Sequence, residues 1–223
     1  MKRTLLFCLL LLGSACSDGV QPSTPPSGPS PLLRVVHAAL PVQSMDVLVD
    51  GRTVIRNLTY GATSAFVVVP SGVQSVLIRP TSGGTVGTPR TVTFANGGQV
   101  TMVAVDSASV INPVVLTDTG STPVPGASKL RVVHFATNAP PISVLRTQPD
   151  FPTPISVMFP FAYRAASPYL QSTPGDWEVI VTRENQPDTL YRTGPIAIGS
   201  GELRTVVLID AAAGGIGAVV VDP

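Results

Sequence analysis

Disulfides cannot organise this chain. Cys8 and Cys16 are its only cysteines among 223 residues, and both lie near the start. Charge is scarce as well: 12% of residues are Asp, Glu, Lys or Arg, about half the roughly 25% of ordinary domains. No basic block exists to neutralise a phosphate backbone, which excludes nucleic acid as a partner. No segment shows sustained helical periodicity, and no apolar run reaches the roughly 20 residues that span a bilayer. Nucleophile signatures of the G-x-S-x-G or Ser-x-x-Lys kind are missing from the region after the leader. These absences predict a protein that is not an enzyme and needs no cofactor.

What is present is repetition. Leu33-Arg-Val-Val-His-Ala38 returns as Leu130-Arg-Val-Val-His-Phe135. Tyr60-Gly-Ala-Thr-Ser-Ala-Phe66 is answered by Tyr163-Arg-Ala-Ala-Ser-Pro-Tyr169, and Gly98-Gln-Val-Thr-Met102 by Gly201-Glu-Leu-Arg-Thr205. A period of one small domain means duplication of a whole domain, since solenoid repeats are much shorter. Each unit is long enough to bury its own core.

The N-terminus reads as an export signal. Lys2-Arg3 precedes the apolar run Leu5–Leu12, and Gly13-Ser-Ala-Cys16 closes it with small residues. Small residues ending in Cys resemble the lipobox of bacterial lipoproteins, although Leu12 stands one position earlier than that pattern usually has it. An ordinary signal peptide cut after Ala15 is the alternative. Cysteine arithmetic favours lipid: Cys16 is the only cysteine left after cleavage and has no partner for a disulfide. The Pro/Ser/Gly stretch from Ser17 to Pro31 cannot pack a core and extends as a tether. Because Ser17, not Asp, follows the cysteine, the expected location is the outer membrane. Removing Lys2 and Arg3 from 14 basic residues leaves 12 against 13 acidic ones, a net charge near −1.

Short Val-rich runs punctuated by turn residues dominate the remainder. In the first unit they predict strands near 33–38, 45–49, 53–58, 65–69, 74–79, 90–94, 100–105 and 114–116. Asp50-Gly51 is the strongest hairpin signal, because a type I′ turn needs positive φ at both central residues. The expected fold is all-β: two tandem immunoglobulin-like antiparallel β-sandwich domains, with an eight-stranded barrel as the alternative. The expected divisions are a signal peptide at 1–15, the lipidated Cys16 and tether at 16–31, a first sandwich at 32–118, a linker at 119–129 and a second sandwich at 130–223.

Arg34-Val-Val-His-Ala-Ala39, Pro41, Asp46-Val-Leu-Val-Asp-Gly51, Asn57-Leu-Thr-Tyr-Gly61, Ser64, Pro70 and Gly72 resemble the DUF4397 domain family of exported β-sandwich proteins. The second unit keeps Leu130–His134, Ala139-Pro140, Tyr163, Ser167 and Gly175 but loses the Asp-Gly turn. The resemblance implies an extracytoplasmic, often tandem module without an established catalytic role, and it carries over no site residues.

Few residues offer chemistry. His37 and His134 occupy equivalent strand positions without nearby ligand partners, so no metal is expected. Asp50 is explained by its turn, and Asp46 lacks the spacing of a calcium loop. Asp176 and Glu178 share a strand face and read as solvated charges rather than a glycosidase pair. Asn57-Leu-Thr59 is a glycosylation sequon that a bacterial export signal makes accidental. The candidate ligand contacts are Phe151, set among prolines in the loop Thr147–Pro154, together with Trp177 and Tyr169, which could stack on a sugar ring. Core packing is the competing account of Trp177.

The leading expectation is therefore a non-catalytic, monomeric spacer or binding module, held to the membrane by lipid on Cys16. Recognition of an envelope polysaccharide or protein through the second domain is the alternative, and an envelope hydrolase ranks last.

Overall fold

The computed structural model describes residues 28–40, 42–83, 87–107, 110–116, 122–148 and 153–222, without the side chains of Ser107, Ser156, Met158 and Phe159. Cys16, most of the tether and Phe151 lie outside the described residues.

The first unit contains β1 (Leu32–Ala38), β2 (Ser44–Val49), β3 (Arg52–Thr59), β4 (Val67–Val68), β5 (Gly72–Pro80), β6 (Arg90–Phe94), β7 (Gln99–Ser107) and β8 (Val110–Leu116). They form two sheets, β4-β1-β7-β8 and β3-β2-β5-β6. The second unit contains β9 (Ser128–His134), β10 (Ile142–Thr147), β11 (Ile155–Phe161), β12 (Leu170–Ser172), β13 (Gly175–Arg183), β14 (Thr189–Arg192), β15 (Ile196–Ile198), β16 (Leu203–Asp210) and β17 (Ile216–Val221). Its sheets are β12-β9-β16-β17 and β11-β10-β13-β14, with β15 also paired to β13. The duplication inferred from sequence is thus a duplicated all-β sandwich.

Two expectations need correction. The sheets are not wholly antiparallel: β1 runs parallel to β7, and β9 parallel to β16. Parallel neighbours need a crossover rather than a hairpin, and here the chain reaches β7 only after building the opposite sheet. The expected linker of 119–129 also ends too late, because β9 starts at Ser128. The Ser128 hydroxyl is buried and donates toward the carbonyls of Ser172 and Thr173.

Repeated residues outside the strands have mechanical roles. The Ser64 and Ser167 hydroxyls accept the Val35 and Val132 N–H groups at 3.0 and 2.9 Å. The Asp50-Gly51 turn takes φ of 46° and 77°, as a I′ hairpin requires. Asn57, the sequon asparagine, has φ 51° and donates its N–H to the Asp46 carboxylate. It serves a bulge in β3, where asparagine tolerates left-handed geometry better than most residues.

Strand parity builds three apolar layers. Leu33 and Val35 point into the first sandwich with Met45, Val47, Ile78 and Phe94. Leu130 and Val132 point into the second with Ile142, Val144, Val179 and Val181. The alternate residues Val36, Ala38, Val103 and Val105 meet Val133, Phe135, Val207 and Ile209 in a third core between the two units. The molecule is therefore four stacked sheets. The two inner ones, which contain the parallel pairs, are buried on both faces, as parallel pairing usually demands.

Candidate functional site

The strand and turn residues that could carry chemistry are mostly committed to the scaffold. His37 and His134 are buried, and each Nδ1 accepts a main-chain N–H two residues on, from Ala39 and Ala136, at 3.3 Å. Burial holds both rings down to about 4, against an ordinary value of 6.5. Asp46 accepts from Asn57 N–H and the Thr81 hydroxyl, and Asp50 accepts the Ser75 N–H. The carboxylate of Glu178 is paired with Arg192 at 2.8 Å. Among the described residues no three His, Cys, Asp or Glu side chains gather closely enough to hold a metal ion.

The aromatic contacts expected from sequence are placed elsewhere than on a ligand platform. Trp177 is only 7% exposed and packs in the second core. Its indole N–H donates to Thr173 O at 2.8 Å, and the Arg146 guanidinium covers its ring at 4.9 Å. Arg146 is itself buried and donates to the Ser172 hydroxyl and to Gln171 O. Tyr169 lies under Arg131 at 4.5 Å at the seam between domains, where the first domain has Arg34 over Phe66 at 4.3 Å. Trp177 is thus a core residue, and Tyr169 is half-buried against Arg131 in the seam. Phe151 falls outside the described residues.

A cavity of about 520 Å³ opens instead on the outer face of the second domain's β11-β10-β13-β14 sheet. Parity explains its floor. Ile142 and Val144 face the core, which turns Ser143 and Leu145 outward; Val179 and Val181 do the same for Ile180 and Thr182. Register then aligns two cross-strand rows, Leu145–Ile180–Arg192 and Ser143–Thr182–Thr189. One row is aliphatic and ends on a guanidinium. The other presents three hydroxyls. Pro154 stands at one side and the Asn185-Gln186-Pro187 turn at the other.

The first domain shows what was altered. At the equivalent register Leu48 faces Leu77, so the aliphatic row is kept, but Asp46 faces Arg79. Both positions of that charged row hold short hydroxyl residues in the second copy. The loss of side-chain length at two facing positions leaves room on the sheet. It also strands a hydroxyl: Ser143 is 9% exposed, and its buried Oγ has no hydrogen-bond partner. Unpaired buried polar atoms are uncommon in native folds and call for an explanation.

The profile described as "Domain of unknown function (DUF4397)" matches residues 31–145, which takes in the first domain and the opening strands of the second. No curated protein matches the chain. Among solved structures, one of a streptococcal virulence factor, described as alpha-glucan binding, is 12% identical, with 79% of this chain and 91% of that one covered and a TM-score of 0.26. A proposed adhesin from Bacteroides ovatus is 11% identical, with 87% and 95% covered and a TM-score of 0.26. Likenesses this distant carry no functional argument.

Proposed function

We propose, on the premise that the chain belongs to the DUF4397 family, that it is a non-catalytic recognition module anchored at the bacterial cell envelope. The observation that carries this reading is the cavity on β10, β13 and β14, where the second copy has Ser143 facing Thr182 in place of the first copy's Asp46 facing Arg79. Asp46, Asp50, His37 and His134 are engaged in turns, bulges and cores. The first domain then acts as the rigid base, because a shared apolar core joins its inner sheet to that of the second. Lipid on Cys16, with outer-membrane placement, completes the proposal and rests on the leader sequence alone, and a monomeric state is proposed alongside it.

The test uses the mature chain as bait for solubilised envelope material from its host. Capture should fall sharply when the cavity is refilled with the first domain's side chains, as S143D/T182R. Capture that is unchanged by this variant overturns the assignment of the cavity. Cys16→Ser in the full chain should release the protein from membranes; persistent membrane association after a high-salt wash overturns the anchor.

A further inference from the structure

We infer that the cavity on β10, β13 and β14 takes a neutral, hydroxyl-rich ligand of the size of a short saccharide, an assignment that rests on the recognition-module reading above. Its lining is matched to hydroxyl groups. Ser143, Thr182 and Thr189 form a row of three hydroxyls across adjacent strands, and Asn185 and Gln186 add side-chain amides at the rim. Hydroxyls and amides each donate and accept, which suits partners that do the same. The aliphatic row Leu145–Ile180 beside them offers an apolar strip for the C–H face of a sugar ring. A volume of about 520 Å³ falls within the roughly 300–1,000 Å³ of small-ligand sites.

Charge argues against an anionic ligand. Arg192 is the one charged side chain among the described lining residues, and Glu178 already neutralises it at 2.8 Å. Sheet geometry argues against a peptide held by strand addition. The floor strands β10 and β13 are interior to the sheet, paired on both sides, so their main-chain groups are taken. The Ser143 Oγ is a buried polar atom of the floor without a partner among the described residues. A ligand hydroxyl that reaches it on a rotamer change would supply the missing bond.

The mature chain is titrated calorimetrically with a panel of neutral oligosaccharides (glucans, mannans, galactans) and with uronate-containing ones. Binding of at least one neutral member is expected, with no preference for the acidic set. Thr189→Val, which keeps the side-chain shape and removes one hydroxyl, should weaken binding roughly 2- to 10-fold. S143D/T182R should abolish it. Equal affinity in all three proteins, acidic preference, or silence across the neutral panel each overturns the inference. Envelope capture that is sensitive to S143D/T182R while the neutral panel stays silent sinks the saccharide and leaves the module reading standing. Capture that survives S143D/T182R removes both.

Discussion

Tyr60 in the first domain donates its phenolic proton to the main-chain carbonyl of Asp210 in the second. Tyr163 in the second domain reaches back to Asp106 O in the first at 3.4 Å. Tyr60 and Tyr163 are equivalent in the repeat, and Asp106 and Asp210 lie at the ends of the equivalent strands β7 and β16, next to last in the one and last in the other. The contact is reciprocal in the manner of a two-fold interface between identical subunits, here realised within one chain. Between the two bonds lies the apolar layer that contains Val36, Val103, Val133 and Val207.

The two domains should therefore unfold together. Calorimetry of residues 28–223 is expected to show a single transition, and Tyr60→Phe should lower stability by about 1 kcal/mol. Val133→Asp places a charge in the shared layer, where burial without a partner is costly. It should cost roughly 3 kcal/mol or more and separate the melt into two transitions. One unaltered transition in Val133→Asp would show that the domains are not coupled through this face.

Stability should fall as the solution is acidified from pH 6.5 toward 4. The folded state keeps His37 and His134 neutral down to about 4, whereas in the unfolded chain they bind protons from about 6.5. The unfolded state thus holds more protons through that window, so each ring favours folding above it and loses that contribution as pH drops. The loss is up to about 3 kcal/mol per ring at the acid end. Denaturant midpoints measured from pH 7 to 4.5 should fall steeply in wild type. They should fall less in His37→Gln and His134→Gln, and parallel curves would refute the assignment.

The two copies differ at one turn in a way that predicts a stabilising change. Gly61 and Arg164 follow the repeated tyrosines and share left-handed backbone, with φ of 73° and 66°. Glycine adopts that geometry freely, while a residue with a Cβ is disfavoured by roughly 1–2 kcal/mol. Arg164→Gly should raise stability by about 1 kcal/mol less the greater entropy of the unfolded chain. A melting-temperature decrease would contradict this.

Inside the second domain, Arg146 occupies the place that Val49 holds in the first, and Ser172 that of Val69. Both valines belong to the first apolar core. Arg146 keeps a buried Nε without a hydrogen-bond partner, so the polar cluster over Trp177 is only partly satisfied. Ser172→Ala removes an acceptor from a buried cation and should cost about 1–3 kcal/mol. Arg146→Met combined with Ser172→Ala should recover most of that loss, because apolar replacements of a whole buried polar pair are often neutral. Chemical denaturation of the single and double variants measures the coupling, and strict additivity would disprove it.

Much of this is legible in the sequence, and what is not has physical causes. The repeat, the Asp50-Gly51 turn and the β-rich pattern rest on local rules of period and turn geometry, and they appear where those rules put them. Leu33–Ala38 also held a clue to the shared layer. Val35 and Val36 are adjacent and both apolar, which suits a strand buried on two faces rather than one facing a solvated gap between beads. Trp177 shares parity with Val179 and Val181, which sets it in the core whatever its residue type suggests. The cavity was less accessible. Ser143, Thr182 and Thr189 come together only through strand register, so three unremarkable hydroxyls in sequence become a row in space.

The unpartnered hydroxyl of Ser143 separates stability from function at a single atom. A buried polar group without a hydrogen bond costs about 1–3 kcal/mol relative to one that is satisfied. Ser143→Ala deletes that group and leaves only a small void, since the two side chains differ by one oxygen. The variant should be as stable as wild type or more so, by up to about 1 kcal/mol. That is roughly 2–4 °C in melting temperature for a chain of this size. It should also bind the captured envelope ligand more weakly, because the lost oxygen is the one that a ligand would satisfy. Such an opposed pair of changes is the signature of a residue kept for recognition at some expense of stability. If Ser143→Ala destabilises the fold and leaves binding intact, the hydroxyl serves the scaffold, and the cavity loses its most specific polar contact.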